Sequence, residues 1–338
     1  MAISDFFHPL GDRDCVRIVI MSKTQISDER KSEIIKTYAQ FFNRQSQGYL
    51  NKRATALLTI DLNEILLPLG LTRNHWVILS CLWRQDGLPV TYIAKQVQQV
   101  GGTLTGVLDR MEKRKLIKRR RDRNDRRIWR VWLTDEGVQL IDLLPEKVES
   151  IWQKAFKDVS KHDQERFSSL VNKAISNLSP EHKRELPESS PLIPAQYAHI
   201  LPPYSLGYRM KLLSLLMTRD CTEKIEPYNV TTSHWIVLCR LWQNDGVLTS
   251  EVGEFLEQIG GSLTGVLERM EERGLITRKQ DETDKRCSRI FLTSAGLELI
   301  EVLPQLAQSC LDDTFKSISP EDNEFFRIFL NQVISNFD

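Results

Sequence analysis

The sequence predicts a mainly α-helical chain in which one domain occurs twice. Three observations carry this. First, the chain matches itself at a shift of 159 residues: from Thr72 to Pro145 about 34 of the 74 positions are identical in their counterparts, without a gap. Second, apolar residues within each copy recur at helical spacing and switch once to strand alternation. Third, Ser179 to Tyr204 lies between the copies and holds Pro180, Pro187, Pro191, Pro194, Pro202 and Pro203. Such a stretch cannot be helical throughout and reads as a linker. The expected parts are an N-terminal extension over 1–43, a first domain over 44–178, a linker over 179–204 and a second domain over 205–338.

The elements follow in order. Ile34, Ile35, Tyr38, Phe41 and Phe42 fall on one stripe and predict a helix over about 27–43. A helix from Gly48 to Leu67 stops at Pro68-Leu69-Gly70. Thr72 caps a helix running to Trp83 and ended by Asp86-Gly87. A short helix over Pro89 to Val97 has proline in its first turn. A helix from Gly102 to Lys115 follows, with Leu104, Val107, Leu108 and Met111 as its buried stripe. Beyond Leu116-Ile117, Ile128, Arg130 and Trp132 alternate with Trp129, Val131 and Leu133, a strand pattern with Arg121 to Arg127 as hairpin tip. Thr134 opens another helix, and Ser160 with Asp163 caps the last one, to Leu178. Ser319 and Asp322 stand at the matching cap of the second copy.

A short helix, a turn, a second helix and then a hairpin is the order of a winged helix-turn-helix. His75-Trp76-x-x-Leu79, Leu116-Ile117, Asp122-x-x-Asp125-Arg126-Arg127 and Leu133-Thr134-x-x-Gly137 resemble the signature of the MarR (multiple antibiotic resistance regulator) family. The second copy repeats it as His234-Trp235, Leu275-Ile276, Asp281-x-x-Asp284-Lys285-Arg286 and Leu292-Thr293-x-x-Gly296. The resemblance implies two winged helix-turn-helix domains joined through a shared helical dimerisation-like region, a pseudo-twofold dimer within one chain. Fusion removes the cost of dimerising, so a monomer in solution is expected; the resemblance implies that it binds double-stranded promoter DNA as a repressor, its two recognition helices entering successive major grooves.

On that architecture the outward face of the recognition helix carries Thr103, Thr105, Arg110 and Lys113, with Ser262, Thr264 and Arg269 in the second copy. Threonine can hydrogen-bond base edges or phosphates, and Arg110 and Lys113 suit the backbone. Gly106 and Gly265 supply no side chain for direct readout. The first wing is crowded with Arg119, Arg121, Arg123, Arg126 and Arg127, placed to reach phosphates or a narrow minor groove. The second wing offers Lys285 and Arg286 among acids. Residues 1–178 hold 30 basic and 21 acidic residues, a net +9; residues 179–338 hold 16 and 24, a net −8, giving the +1 of the whole chain. The first copy is expected to dominate phosphate contact. The alternative is a winged-helix module that binds another protein and has lost DNA binding.

The resemblance also implies release from DNA by a small aromatic effector. Tyr49, His75, Trp76, Tyr208, His234 and Trp235 are the candidate pocket. The competing reading makes the tryptophans core and the histidines structural. Cysteines 15, 81, 221, 239, 287 and 310 form no CxxC pair and none is shared by both copies, so they read as reduced thiols in a cytoplasmic protein. No metal, cofactor or catalytic motif is expected, nor a signal peptide or membrane span. Met21 offers a second start.

Overall fold

The computed structural model describes residues 26–98, 104–180, 192–202, 205–257 and 263–337. Along the chain, α1 (Asp28–Thr37) and α2 (Ala39–Phe42) lead into α3 (Gln47–Leu66), α4 (Arg73–Arg84), β1 (Leu88–Pro89), α5 (Val90–Gln98) and α6 (Leu104–Lys113). The hairpin is β2 (Ile117–Arg121) and β3 (Trp129–Leu133), followed by α7 (Asp135–Gln139), α8 (Leu144–Ala155) and α9 (Lys161–Leu178). The second copy repeats these as α10 (Leu206–Ile225), α11 (Thr232–Gln243), β4 (Val247–Leu248), α12 (Thr249–Glu257) and α13 (Leu263–Glu272). It closes with β5 (Ile276–Gln280), β6 (Ser288–Leu292), α14 (Ser294–Glu298), α15 (Leu303–Phe315) and α16 (Pro320–Ser335).

Local chemistry sets the boundaries. Ser27, Thr72, Ser160 and Ser319 each accept a hydrogen bond from a backbone N–H of the first turn of α1, α4, α9 and α16. The expected N-terminal helix breaks at Tyr38 into α1 and α2. Pro89 does not open a helix: it pairs with Arg130 as the end of β1, an edge position where its missing N–H is tolerated. Strand order is β1-β3-β2, with β2 and β3 in register from Ile117↔Leu133 to Arg121↔Trp129.

The Leu-Thr-x-x-Gly motif has a packing cause. Thr134 caps α7 by accepting from Gly137 N at 3.2 Å, and its hydroxyl donates to Lys115 O. A Cβ on Gly137 would lie 2.1 Å from Leu116 O, and one on Gly296 2.1 Å from Leu275 O. Only glycine lets the helix start approach the strand so closely.

The chain forms two compact units that do not follow the repeat. The larger joins Asn43–Asp220 to Ser309–Asp338; the smaller joins the described residues up to Phe42 to Cys221–Gln308. In the larger unit the terminal helices of both copies meet. Asn51 donates to Met210 O at 3.0 Å, and the Phe167 and Phe326 rings lie 4.7 Å apart. Each of these residues touches its own counterpart one repeat away, as a twofold relation requires.

The segment before each copy's first long helix packs on the winged helix of the other copy. In the smaller unit Ile34 and Phe42 are buried with Val237, Leu238 and Trp242, and Phe41 meets Trp235 edge-on at 5.8 Å. In the larger unit Ile200, Leu201 and Tyr208 are buried with Trp76, Val77 and Trp83. This corrects the plain linker expected over 179–204. Its last part is core, because Ile200 and Leu201 supply apolar area that the first copy's own sequence leaves uncovered.

Candidate nucleic-acid interface

In the first copy, burial of Val107, Leu108 and Met111 turns Thr105, Gly106, Asp109, Arg110 and Lys113 of α6 outward. Thr105 and Arg127 line an open groove of about 680 Å³ between α6 and the hairpin, walled by Ile128 and Trp129. Thr264 and Arg269 are exposed on α13 in the same way. Thr103 and Ser262 lie outside the described residues.

The acids of this region are spent inside the protein. Glu112 grips the Arg119 guanidinium at 2.6 and 2.9 Å and accepts from its backbone N–H, while Asp109 takes the same guanidinium at 2.7 Å. Those hydrogen bonds hold the Glu112 carboxyl below its ordinary range and raise Arg119. Arg119 is therefore a clip between α6 and β2. Asp122 accepts from the N–H groups of Asn124 and Asp125 and from Arg130 Nε, which lowers its pKa to about 2. Asp125 accepts from Arg127 N at 2.9 Å.

The remaining cations point outward. Arg123, Arg126 and Arg127 are exposed at the tip, and Arg110, Lys113, Lys118 and Arg120 beside it. The Arg121 guanidinium lies 5.0 Å from the Trp129 ring centroid and donates to Arg126 O.

The second hairpin has the same frame and other charges. Asp281 takes the place of Asp122, accepting from Thr283, Asp284 N and Arg289. The Arg286 guanidinium is held by both oxygens of Asp284 at 3.1 Å, and Lys285 is exposed. From Leu104 to Leu133 there are twelve basic and four acidic residues; from Leu263 to Leu292 there are seven and six.

Of the six candidate pocket residues, Trp76 and Tyr208 line one cavity, together with Trp152, Arg73 and Lys211. The Tyr208 hydroxyl lies 3.1 and 3.0 Å from Gln96 O and Oε1 on α5. Tyr49 is half-buried on α3 and does not line this cavity. Trp235 packs on Phe41 and Trp242. The histidines are caps: Thr72 N donates to His75 Nδ1 at 3.1 Å, and Thr231 N to His234 Nδ1 at 3.3 Å. Burial, then Arg114 and Arg110, lowers His75 to about 4; burial, then Arg273 and Arg269, does the same to His234. Neutral imidazole is what an acceptor at Nδ1 needs.

Arg73 and Lys211 escaped the sequence reading. Burial lowers the pKa of both, and Arg73 and Lys52 lower Lys211 further. One signal was available: Arg73 opens α4, where the helix dipole disfavours a cation. Among the described residues that line the cavity there is no carboxylate.

Burial pushes the Cys81 thiol up to about 12 and raises Cys239 as well, which opposes thiolate chemistry there. Among the described residues no cluster suits a metal ion, and no single helix is long and apolar enough to cross a membrane.

Several known proteins are similar to this chain in sequence. The MarR family model matches residues 71–129 and again 230–288. The organic hydroperoxide resistance transcriptional regulator of Bacillus subtilis is 38% identical over 85 residues; the match spans 25% of this chain and 58% of that protein's length. The transcriptional repressor MprA of Escherichia coli is 26% identical over 125 residues, 37% of this chain and 70% of its own. The crystal structure of the S. aureus MepR–DNA complex is 25% identical, with 39% of this chain and 97% of that chain aligned at a TM-score of 0.36. The chain thus carries, in tandem, two segments that match the MarR family model, one in each copy.

Proposed function

We propose that the chain is a sequence-specific transcriptional regulator of double-stranded DNA, acting as a repressor in the cytoplasm and not as an enzyme. One observation carries the reading: the first copy uses its acids in internal clips and leaves seven cations facing out around a recognition helix. Thr105, Arg110 and Thr264, Arg269 read the major groove; Lys113, Arg121, Arg123, Arg126 and Arg127 hold the backbone and minor groove. Lys285 and Arg286 add less, because Asp284 engages Arg286. Thr103 and Ser262 belong to the same reading by their place before the described helices. The matched MprA is itself a repressor by name.

The cavity adds a regulatory part to this proposal. The basic side chains of Arg73 and Lys211 beside the Trp76 and Trp152 rings suit a small aromatic anion as effector.

The salt dependence of duplex binding tests the function. Releasing about five phosphate counterions gives a slope of roughly −4 to −5 in log affinity against log salt. Absence of duplex binding at low salt would overturn it and favour a protein-interaction module.

A further inference from the structure

Each recognition helix pairs a glycine with an arginine one turn later. A Cβ on Gly106 would sit 3.5 Å from Arg110 Nη1, and one on Gly265 3.1 Å from Arg269 Nη1. Helical side chains lean toward the N-terminus, so an arginine covers the surface one turn before its own Cα. Here that surface belongs to glycine. The guanidinium lies against it, and Gly106 and Arg110 are both exposed while Val107, Leu108 and Met111 are buried.

The neighbouring arginines are occupied elsewhere. Arg114 donates to the carbonyls of Leu69 and Gly70, Arg119 to Glu112 and Asp109, and Arg130 to Asp122. In the second copy Arg273 donates to Asn229 O, Arg278 to Glu271 and Arg289 to Asp281. No carboxylate lies within ion-pair distance of Arg110 or Arg269 among the described residues. The copies reverse or lose charge at Lys113/Glu272, Arg121/Gln280 and Arg123/Glu282, yet both keep the Gly–Arg pair. A role in bulk phosphate attraction would be expected to drift with those charges.

We infer that Arg110 and Arg269 are the base-reading residues, each laid over its glycine so that the planar fork meets a guanine at O6 and N7. The glycine keeps that surface clear of any longer side chain: a bare Cβ would make ordinary contact at Gly106 and a tight one at Gly265, and a larger group would displace the fork. Arginine against those two acceptors is the strongest single-base contact the major groove offers. The inference rests on the DNA-binding reading and adds its chemistry: one guanine in the segment read by each copy.

The test is in vitro selection from a pool of random duplexes with the full chain, comparing wild type, Arg110→Ala, Arg269→Ala and Gly106→Gln. Wild type should enrich two fixed guanines. Arg110→Ala should relax one and Arg269→Ala the other. Replacing the first guanine by 7-deazaguanine should weaken wild type about tenfold and leave Arg110→Ala unchanged. Gly106→Gln should relax the same guanine as Arg110→Ala without lowering the melting temperature, since glycine is a poor helix former. If Arg110→Ala loses affinity equally for all sequences, the residue is a phosphate contact and the inference fails alone. If wild type retains no duplex, the DNA-binding reading fails and this inference with it.

Discussion

In the first copy Asp122 closes the hairpin tip on Arg130 and on the N–H groups of Asn124 and Asp125; in the second, Asp281 does so on Arg289, Thr283 and Asp284. Around that shared frame the side chains part company. Arg121, Arg123, Ile128 and Trp129 in one copy face Gln280, Glu282, Cys287 and Ser288 in the other. The aspartate and arginine that close the hairpin have stayed fixed, while most of the exposed residues around them have diverged. Form and charge are therefore separable here, and substitutions should show it: equal effects in the two copies where a residue builds the frame, unequal effects where it faces out.

The largest inequality is expected at the tips. Reversing Arg123 and Arg127 to glutamate should lower duplex affinity a hundredfold or more and flatten the salt slope by about two. Reversing Lys285 and Arg286 should cost about tenfold or less, because Asp284 already engages Arg286. Gel-shift titration at fixed salt distinguishes them, and equal losses would remove the asymmetry.

Equality is expected at the frame. Gly137→Ala and Gly296→Ala each drive a Cβ into a backbone carbonyl, with 2.1 Å available in both copies. Each should destabilise by about 3 kcal/mol or more, since backbone cannot yield as a side-chain tip can. Thermal melts of the two variants should show comparable shifts. A tolerated substitution in either copy would mean that the motif's glycine serves something other than this contact.

The capping histidines should also act alike. Both are held near pKa 4 in the fold, against about 6.5 in an unfolded chain. The unfolded state therefore takes up the proton first. Their contribution is complete above pH 6.5 and is lost as pH falls toward 4, by up to about 3 kcal/mol for each. His75→Gln and His234→Gln keep an acceptor at the third helical position and remove the titration. Denaturant melts between pH 7 and 4.5 should lose equal parts of their slope in the two variants.

What the sequence disclosed follows the same division. Helices, hairpin and caps were legible because apolar spacing and capping residues act within one segment, as at Ser160 with Asp163 or along Leu104, Val107, Leu108 and Met111. Pro89 was misplaced because its partner, Arg130, lies far along the chain. The crossing of Ile34 and Ile200 onto the other copy's core was not legible, since an apolar stripe does not say which of two homologous cores it covers. At the site, Arg119 looked like one arginine among many; only the fold brings Glu112 and Asp109 onto it. Tyr49 and Tyr208 are equivalent in the repeat, yet Tyr208 alone lines the cavity.

That cavity supplies the smallest test and a second divergence between copies. Arg73 opens α4 at a position where the second copy has Thr232. It lies close enough to lower the pKa of Lys211, and both line a wall with aromatic rings. An anion there would meet the Lys211 ammonium, and its ring would gain from Trp76 and Trp152. Benzoate titrated calorimetrically into the full chain should bind once per chain. Arg73→Gln should weaken it about tenfold, near 1.4 kcal/mol, and Thr232→Gln should leave it unchanged. Equal losses would place the site outside the first copy's cavity. Because the Tyr208 hydroxyl reaches Gln96 on α5, an occupant beside Tyr208 bears directly on the helix-turn-helix of the copy that carries the stronger wing. Benzoate should therefore lower duplex affinity in wild type and leave Arg73→Gln nearly indifferent to it.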